Sequence, residues 1–560
     1  MKKLILSTLI SLTALCSCDL NYVPLEQMSA EEAFKDSLRL EKFVNDLYVY
    51  LNTGVQFNRV GGGLLDCVTD LGVYSQLGTS SAINAYIRAT MNSAGGGNPD
   101  SRWAETYTGV RKANVVLRNI ELTVGLSAAK KNQYLGETLL SKALMHYELV
   151  KRYGGIPIMD DLLDLSGDIN IPRSTFSDCV EYIVRLCDQA APLLPTRYPD
   201  NDYGRLTRGA AYGLKAKILL MAASPLFNDS PVPESNEIHR YATPDQERWK
   251  RAADAALQVI ELKNSDGTKA HALFPSYQRL FFTNFANTES IIVKCRNYTN
   301  DVEAANGPSG YQSCNGRTSL TAELIDMYEL KSGLLSADDP DYDPQKPYEN
   351  RDERFNASVL YSGVPLWGRE VELFEGGKDY PSASGQRGCV TGFSLYKHID
   401  PLASVIPAKL TIHNHQILRY AEILLIYAEA MNEYLGTGDD DLCSEEMIYT
   451  CVNEVRQRAG LPPVGSLTKG RMRALIHRER TVELAFEESR IYDLKRWREA
   501  ETVLDRPVHG VRVTREDDGT VIYGERYVVE ERSFPLRMYY YPIPQSELDK
   551  NSSLVKNPGW

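Results

Sequence analysis

Apolar residues recur at helical spacing in long stretches of this chain, and the stretches are joined by short connections. They run over about 30–52, 102–122, 128–153, 175–194, 207–223, 245–262, 416–435, 444–459 and 470–499. A helix with an apolar stripe must bury it against a neighbour, so this succession demands helix-on-helix packing. Within 128–153, Leu135, Leu139, Ala143 and Tyr147 fall at i+4 steps, and Gly154-Gly155 with Pro157 stop the helix. Gly209, Ala210, Gly213 and Ala216 give 207–223 small faces that a neighbouring helix can approach closely. In 416–435, Tyr420, Ala421, Leu424, Leu425, Ala428 and Met431 keep a 3.6 period. The first helix is expected to start near Ser29, with Glu32 completing a capping box. The pattern predicts a mainly α fold, a tetratricopeptide-like helical-repeat scaffold, although no clean 34-residue consensus repeats.

Between about 263 and 415 the character changes to Gly, Pro, Asn, Asp and aromatic residues, with short β-like runs at Ser290–Lys294 and Thr391–Lys397. A second irregular stretch covers 61–101 and ends in Gly95-Gly96-Gly97-Asn98-Pro99. Loops this long are uncommon inside compact domains unless they are functional. Two of them on a rigid helical frame predict a binding protein whose site is built from loops.

The N-terminus reads as a leader, 1–17. Lys2 and Lys3 precede a short apolar run, Leu4 to Ala14, that falls well below the roughly 20 residues needed to span a bilayer. Leu15-Cys16-Ser17-Cys18 then forms a lipobox: leucine at minus three, a small residue at minus one, cysteine at plus one. The thiol of Cys18 is the predicted lipidation point, with 18–28 as a lipid-anchored tether. Several acyl chains, at ~0.8 kcal/mol per buried methylene, hold a protein on a membrane firmly. The expected divisions beyond are a helical part, 29–230, and a part carrying the loop-rich ligand side, 231–560, folded as one compact globule.

Loss of Lys2 and Lys3 with the leader takes the formal charge from −12 to −14. That balance argues against nucleic acid or anionic headgroups as partners, since both require basic patches. Tyrosine is over-represented, 33 Tyr against 14 Phe, and its flat ring with a hydroxyl suits wet, sugar-like surfaces. Eight cysteines follow Cys18 without any CxxC. Cys179/Cys187 and Cys443/Cys451 lie eight apart in expected helices, ~12 Å of rise, so neither pair can bridge. Buried thiols are the expectation.

Glu479, Glu483 and Glu487 recur at i+4 like an acid/base array, but Arg480, Arg490 and Arg496 nearby make structural ion pairs the favoured reading; Asp493 and Trp497 are read the same way. His413-x-His415 has two-ligand spacing on a strand without an acidic or cysteine partner, and the acidic loop Asp338 to Asp343 lacks the EF-hand spacing. No Walker, GxSxG, HExxH or dinucleotide motif occurs, and Gly61-Gly62-Gly63 lacks the strand-to-helix setting of a phosphate loop. No metal, cofactor or catalytic residue is assigned.

In their order along the chain, the motifs are distinctive. Trp103, Tyr107, Arg111, Ala113 and Asn114 are followed by His146-Tyr147-Glu148-Leu149-Val150, Tyr153-Gly154-Gly155-Ile156-Pro157 and Arg205-Leu206-Thr207. Then come Ala223-Ser224-Pro225-Leu226-Phe227-Asn228, Arg419-Tyr420-Ala421-Glu422, and Tyr427-Ala428-Glu429-Ala430. Arg458-Ala459-Gly460-Leu461-Pro462, Glu483-Leu484-Ala485-Phe486-Glu487, Arg496-Trp497 and the terminal Asn557-Pro558-Gly559-Trp560 complete the series. In this order the chain resembles the SusD/RagB family of outer-membrane nutrient-binding lipoproteins. The resemblance implies about four tetratricopeptide-like helix pairs with a large irregular portion packed across them. It also implies capture of an oligosaccharide at the cell surface for a SusC-like TonB-dependent transporter, with no catalysis, and an anchor in the outer leaflet of the outer membrane.

Carried over by region, the ligand candidates are Tyr74, Gln76, Asn84 and Tyr86 from the first irregular stretch, and Tyr298, Tyr311, Asn315, Arg317 and Trp367 from the second. Aromatic faces would meet the C–H faces of pyranose rings, and the amides and arginine would meet hydroxyls. Trp103 is assigned to the core. Competing readings are a peptide- or glycoprotein-binding member of the same uptake system, a surface hydrolase with paired carboxylates in a cleft, and a pure interaction scaffold.

Overall fold

The computed structural model describes residues 30–51, 60, 62–94, 98, 100–163, 166, 169–285, 287–383 and 385–560. Cys18, the leader, the tether, Ser29, Gly61 and Gly95-Gly96-Gly97 lie outside the described residues. The frame is an array of helices: α1 (Ser37–Leu47), α2 (Trp103–Asn119), α3 (Ala128–Tyr153), α4 (Phe176–Ala190), α5 (Arg208–Ala223), α6 (Glu247–Ile260), α7 (Tyr420–Tyr434), α8 (Glu446–Arg458), α9 (Lys469–Glu483) and α10 (Arg490–Trp497). Each from α1 to α7 packs on the next, and α7 also meets α8 and α9, as expected of a tetratricopeptide-like scaffold.

Local chemistry sets the ends. The side chains of Ser127, Thr175, Thr207 and Thr468 cap α3, α4, α5 and α9 by accepting from the backbone N–H three residues on. Gly154, at φ +77°, ends α3. Close approach explains Gly213 on α5: a Cβ there would stand 2.5 Å from Leu418 Cδ2. Trp103 is buried on Tyr153, ring centroids 5.0 Å apart, as assigned from the sequence.

Three expected helices are interrupted. The first breaks after Ala30–Phe34, because the Asp36 carboxylate accepts from Leu38 and Arg39 N–H and starts α1 afresh. The stretch 416–435 opens as a strand, His415–Arg419, paired antiparallel with Ser290–Lys294, and turns helical only at Tyr420. The stretch 470–499 is broken between α9 and α10 by left-handed Phe486 and Glu488, at φ +60° and +63°. Tertiary bonds replace helical ones there: Lys397 Nζ donates to the carbonyls of Glu483 and Ala485, and the His398 imidazole bonds the Phe486 carbonyl. Cys443 lies before α8 rather than in a helix, and all eight described cysteines are free thiols, with only Cys295 exposed.

The i+4 glutamates are structural, but with other partners than their sequence neighbours. Arg419 reaches Glu289, Glu483 and Glu487, and Arg354 reaches Glu479, Glu483 and Asp352. Arg456 and Arg458 close the network on Glu479, Glu329, Glu289 and Glu483. Arg480 and Arg496 instead share Asp493, and Arg490 holds Asp70. His413 bonds Glu303, and no cluster of three metal-ligating side chains occurs among the described residues. Among them, too, no helix is long and apolar enough to cross a membrane.

A small antiparallel sheet, ordered Gly72–Tyr74, Thr318–Leu320, Ser394–Leu395, Val359–Leu360, stitches the two irregular regions together. Of the run Thr391–Lys397, only Ser394-Leu395 is strand. A two-stranded ribbon, Val508–Arg515 with Val521–Glu530, completes the fold.

Candidate functional site

The sheet decides which candidates can meet. Tyr74 lies opposite Thr318, and the Ser75 N–H donates to the Arg317 carbonyl, so the first irregular stretch runs alongside the second. Gly316 N–H reaches the Gly307 carbonyl, which brings the 309–317 loop over the short helix Asp301–Asn306.

Beyond it stands the hairpin Pro365-Leu366/Arg369-Glu370, whose two turn residues are Trp367 and Gly368 at φ +43° and +90°. Two central residues at positive φ are what a tight two-residue hairpin requires, and glycine or asparagine ordinarily fill both places. A tryptophan there costs on the order of 1–3 kcal/mol, and such strain concentrates at ligand clamps. The ring is half-buried rather than hidden. Its edge meets Tyr311 at 5.4 Å and 89°, its tip lies against Gly307, and Nε1 donates to the Asp400 carbonyl at 3.4 Å. A small apolar cluster of Val302, Leu360, Leu366, Val371 and Leu373 underlies both rings.

Tyr311 is fixed by two bonds, its hydroxyl donating to the carbonyls of Leu366 and Arg369. Burial pushes its phenol up to about 12, so it remains a donor. The Arg369 guanidinium caps the ring and is itself held by Asp379 through two 2.8 Å bonds. Asp379 is fully buried and also accepts from the Gly310 and Glu372 N–H groups. No sequence motif marks Arg369 or Asp379; only the Trp-Gly dipeptide signals the turn they support.

The other candidates divide. Asn315 donates to the Ala304 carbonyl and Arg317 Nη1 to the Gly62 carbonyl; Arg317 Nε has no partner among the described residues. Asn84 donates to the Gly78 carbonyl and lines a groove of about 500 Å³ with Leu77, Arg88 and Glu531. Tyr74 is buried, its hydroxyl donating to Gln76 Oε1. The structure places Tyr86 in the core, hydroxyl to hydroxyl with Tyr541 at 3.0 Å, where its ring offers no face to a ligand. Tyr298 stands 66% exposed on a segment whose Thr299 pairs with Thr411. Arg88 and Glu531 went unmarked in the sequence because nothing local distinguishes them from other surface charges.

Comparison with known proteins agrees with this architecture. Residues 280–560 match the profile of the SusD family, and residues 26–220 match a second profile described as starch-binding associating with outer membrane. SusD-like protein P2 of Formosa agariphila is 25% identical over the full length of both chains. A SusD-like protein of Bacteroides ovatus is 22% identical over 82% of this chain and 80% of its own. Among solved structures, a SusD-like protein from Bacteroides fragilis superposes with a TM-score of 0.76 at 25% identity, covering 94% of this chain and 98% of that one. A laminarin-binding SusD-like protein superposes at 0.62 with 20% identity, covering 94% and 100%. With both profiles and the helical array in agreement, the chain belongs to the SusD family, a carbohydrate-binding family associated with the outer membrane.

Proposed function

We propose that this protein is a surface glycan-binding lipoprotein that captures an oligosaccharide and delivers it to a SusC-like TonB-dependent transporter. The observation that carries the reading is Trp367: a half-buried indole held at positive φ on a hairpin tip, buttressed by Tyr311, Arg369 and Asp379. Such a platform suits the C–H face of a pyranose. Family membership supports the carbohydrate class, and the laminarin-binding relative supplies one example of it. Asn315 and Arg317 on the 309–317 loop, and Asn84 and Arg88 in the groove beside Glu531, are the polar groups we assign to glycan hydroxyls.

The protein acts without catalysis in this reading, since the carboxylates of Glu479, Glu483 and Glu487 are consumed by buried ion pairs. The lipid on Cys18 and residues 19–28 serve as the tether in the outer leaflet. Protease shaving of intact cells, followed by affinity purification from detergent-solubilised membranes, tests the placement. The reading expects surface cleavage and a co-purifying β-barrel transporter. A chain protected in intact cells and recovered alone would overturn it.

A further inference from the structure

A cleft of about 500 Å³ opens between the segment 196–207, which leads into α5, and the segment 264–293. A second cleft of about 400 Å³ adjoins it, and Asp202, Tyr203, Gly204, Arg205 and Val293 border both. Each lies in the roughly 300–1,000 Å³ range of small-ligand pockets. Neither shares a residue with the Trp367 turn.

Phe285 gives the first cleft its apolar surface. It is 53% exposed although it meets the Tyr203 ring edge-on at 5.7 Å and 76°. Around it the polar groups are of both kinds. Asn264 donates its amide to Thr268 Oγ1 and the Lys269 carbonyl, while its own Oδ1, shielded from water, has no partner among the described residues. Arg197, Lys269 and Asp200 also line the cleft and make no side-chain hydrogen bond or ion pair among the described residues. Asp266 on the facing turn acts on Arg197, and Glu454 of α8 faces Lys269, so no single sign prevails. Burial pushes His271, also in the wall, down to about 4, and its imidazole is neutral at physiological pH.

An aromatic surface left open among mixed donors and acceptors fits a ligand that is flat on one side and both donates and accepts at its rim. An ion would meet groups of its own sign, and an apolar ligand would strand the polar ones. We infer that this cleft is a second binding site for a neutral saccharide, stacked on Phe285, whose ring Tyr203 buttresses edge-on. The inference rests on the carbohydrate reading of the Trp367 site, and it makes the protein bivalent toward a long glycan. Two weak contacts on one chain raise its avidity without changing the affinity for a short fragment.

The test measures binding of the mature chain to laminarin and starch, and to oligosaccharides of two to four units from each, by affinity electrophoresis and calorimetry. Wild type, Phe285→Ala, Arg197→Ala, Trp367→Ala and the Phe285→Ala/Trp367→Ala double variant are compared. Both Phe285 and Arg197 are exposed, so their substitution leaves the core intact. Phe285→Ala and Arg197→Ala should each weaken binding of the recognised polymer by roughly tenfold while leaving tight short-fragment binding unchanged. Trp367→Ala should keep a residual polymer affinity that the double variant loses. Unchanged polymer binding in Phe285→Ala, with all binding lost in Trp367→Ala, overturns this inference and leaves the Trp367 reading standing. Wild type that binds no glycan of either length overturns both.

Discussion

The guanidinium of Arg369 lies 3.7 Å from the centroid of the Tyr311 ring, while the edge of Trp367 abuts the same ring at 89°. The guanidinium covers one face of Tyr311, which buttresses Trp367, the residue proposed to carry the sugar. Trp367→Ala should lower glycan affinity at least ~10-fold, as truncation of a binding hot spot does, with the melting temperature nearly unchanged. Tyr311→Phe, which loses only the bonds to the Leu366 and Arg369 carbonyls, should cost about 1 kcal/mol of stability and have a smaller effect on binding. Calorimetric titration and thermal unfolding read the two apart.

Asp379 makes a second prediction. It is fully buried and paired with Arg369. Arg369→Ala leaves that carboxylate unpaired, and the expected cost is about 3–5 kcal/mol. Arg369→Ala combined with Asp379→Asn should recover a large part of it. Urea unfolding of the single and double variants measures the difference.

How the sequence foretold this architecture is clearest in the helices. The stretch 128–153 became α3, Ala128–Tyr153, because its period, its Ser127 cap and its Gly154 stop all agree. The break at Asp36 has a local cause, an N-cap, but those at Arg419 and Phe486 were invisible because their causes are distant. Arg419 holds an extended backbone while its side chain joins Glu289, Glu483 and Glu487, and no local pattern encodes that meeting. The ribbon Val508–Arg515/Val521–Glu530 carries no clear strand signal, because its second strand reads Val-Ile-Tyr, Gly-Glu-Arg, Tyr-Val-Val rather than alternating. At the site, Trp367 and Tyr311 could be named from residue type and region, but Arg369 and Asp379 matter only through contacts formed after folding.

The buried network yields a third prediction. Arg419→Met should destabilise by about 3–5 kcal/mol, since three buried carboxylates lose a shared partner, and Arg419→Lys should not restore it. A lysine cannot reproduce the planar fork that reaches all three. Chemical denaturation with an unchanged m-value would register the loss.

Acid sensitivity follows from the same groups. Burial alone would raise the carboxyls of Glu487, Glu148 and Asp493, but Arg419 and Lys397, Lys151 and Arg152, and Arg480 and Arg496 respectively bring each down to about 2. Glu483 is lowered further by Arg458, Arg419 and Arg354. Because these folded values lie below the unfolded ones, their stabilisation is fully present above about pH 4.5 and disappears as pH falls toward 2. Unfolding free energy measured from pH 6 to pH 2 should drop steeply over that window.

Asp66 titrates with the opposite sign. Burial first, then Glu488 and Asp70 nearby, push it up to about 7, and Lys397 only partly offsets them. Its folded value exceeds its unfolded one, so the folded state binds the extra proton and this residue's contribution falls as pH rises from about 4 to about 7. Asp66→Asn, which keeps an acceptor for the Glu488 N–H, should raise stability at pH 8 and leave it little changed at pH 4. Thermal melts at the two pH values separate the outcomes.

The role proposed for the Trp367 turn is recognition of carbohydrate. Isothermal titration of the mature chain against a panel of oligosaccharides and a panel of peptides, run in parallel with Trp367→Ala, tests it most directly. Saturable heat is expected with at least one oligosaccharide, lost in Trp367→Ala, and none with peptide. Saturable peptide binding with no response to any glycan would contradict it.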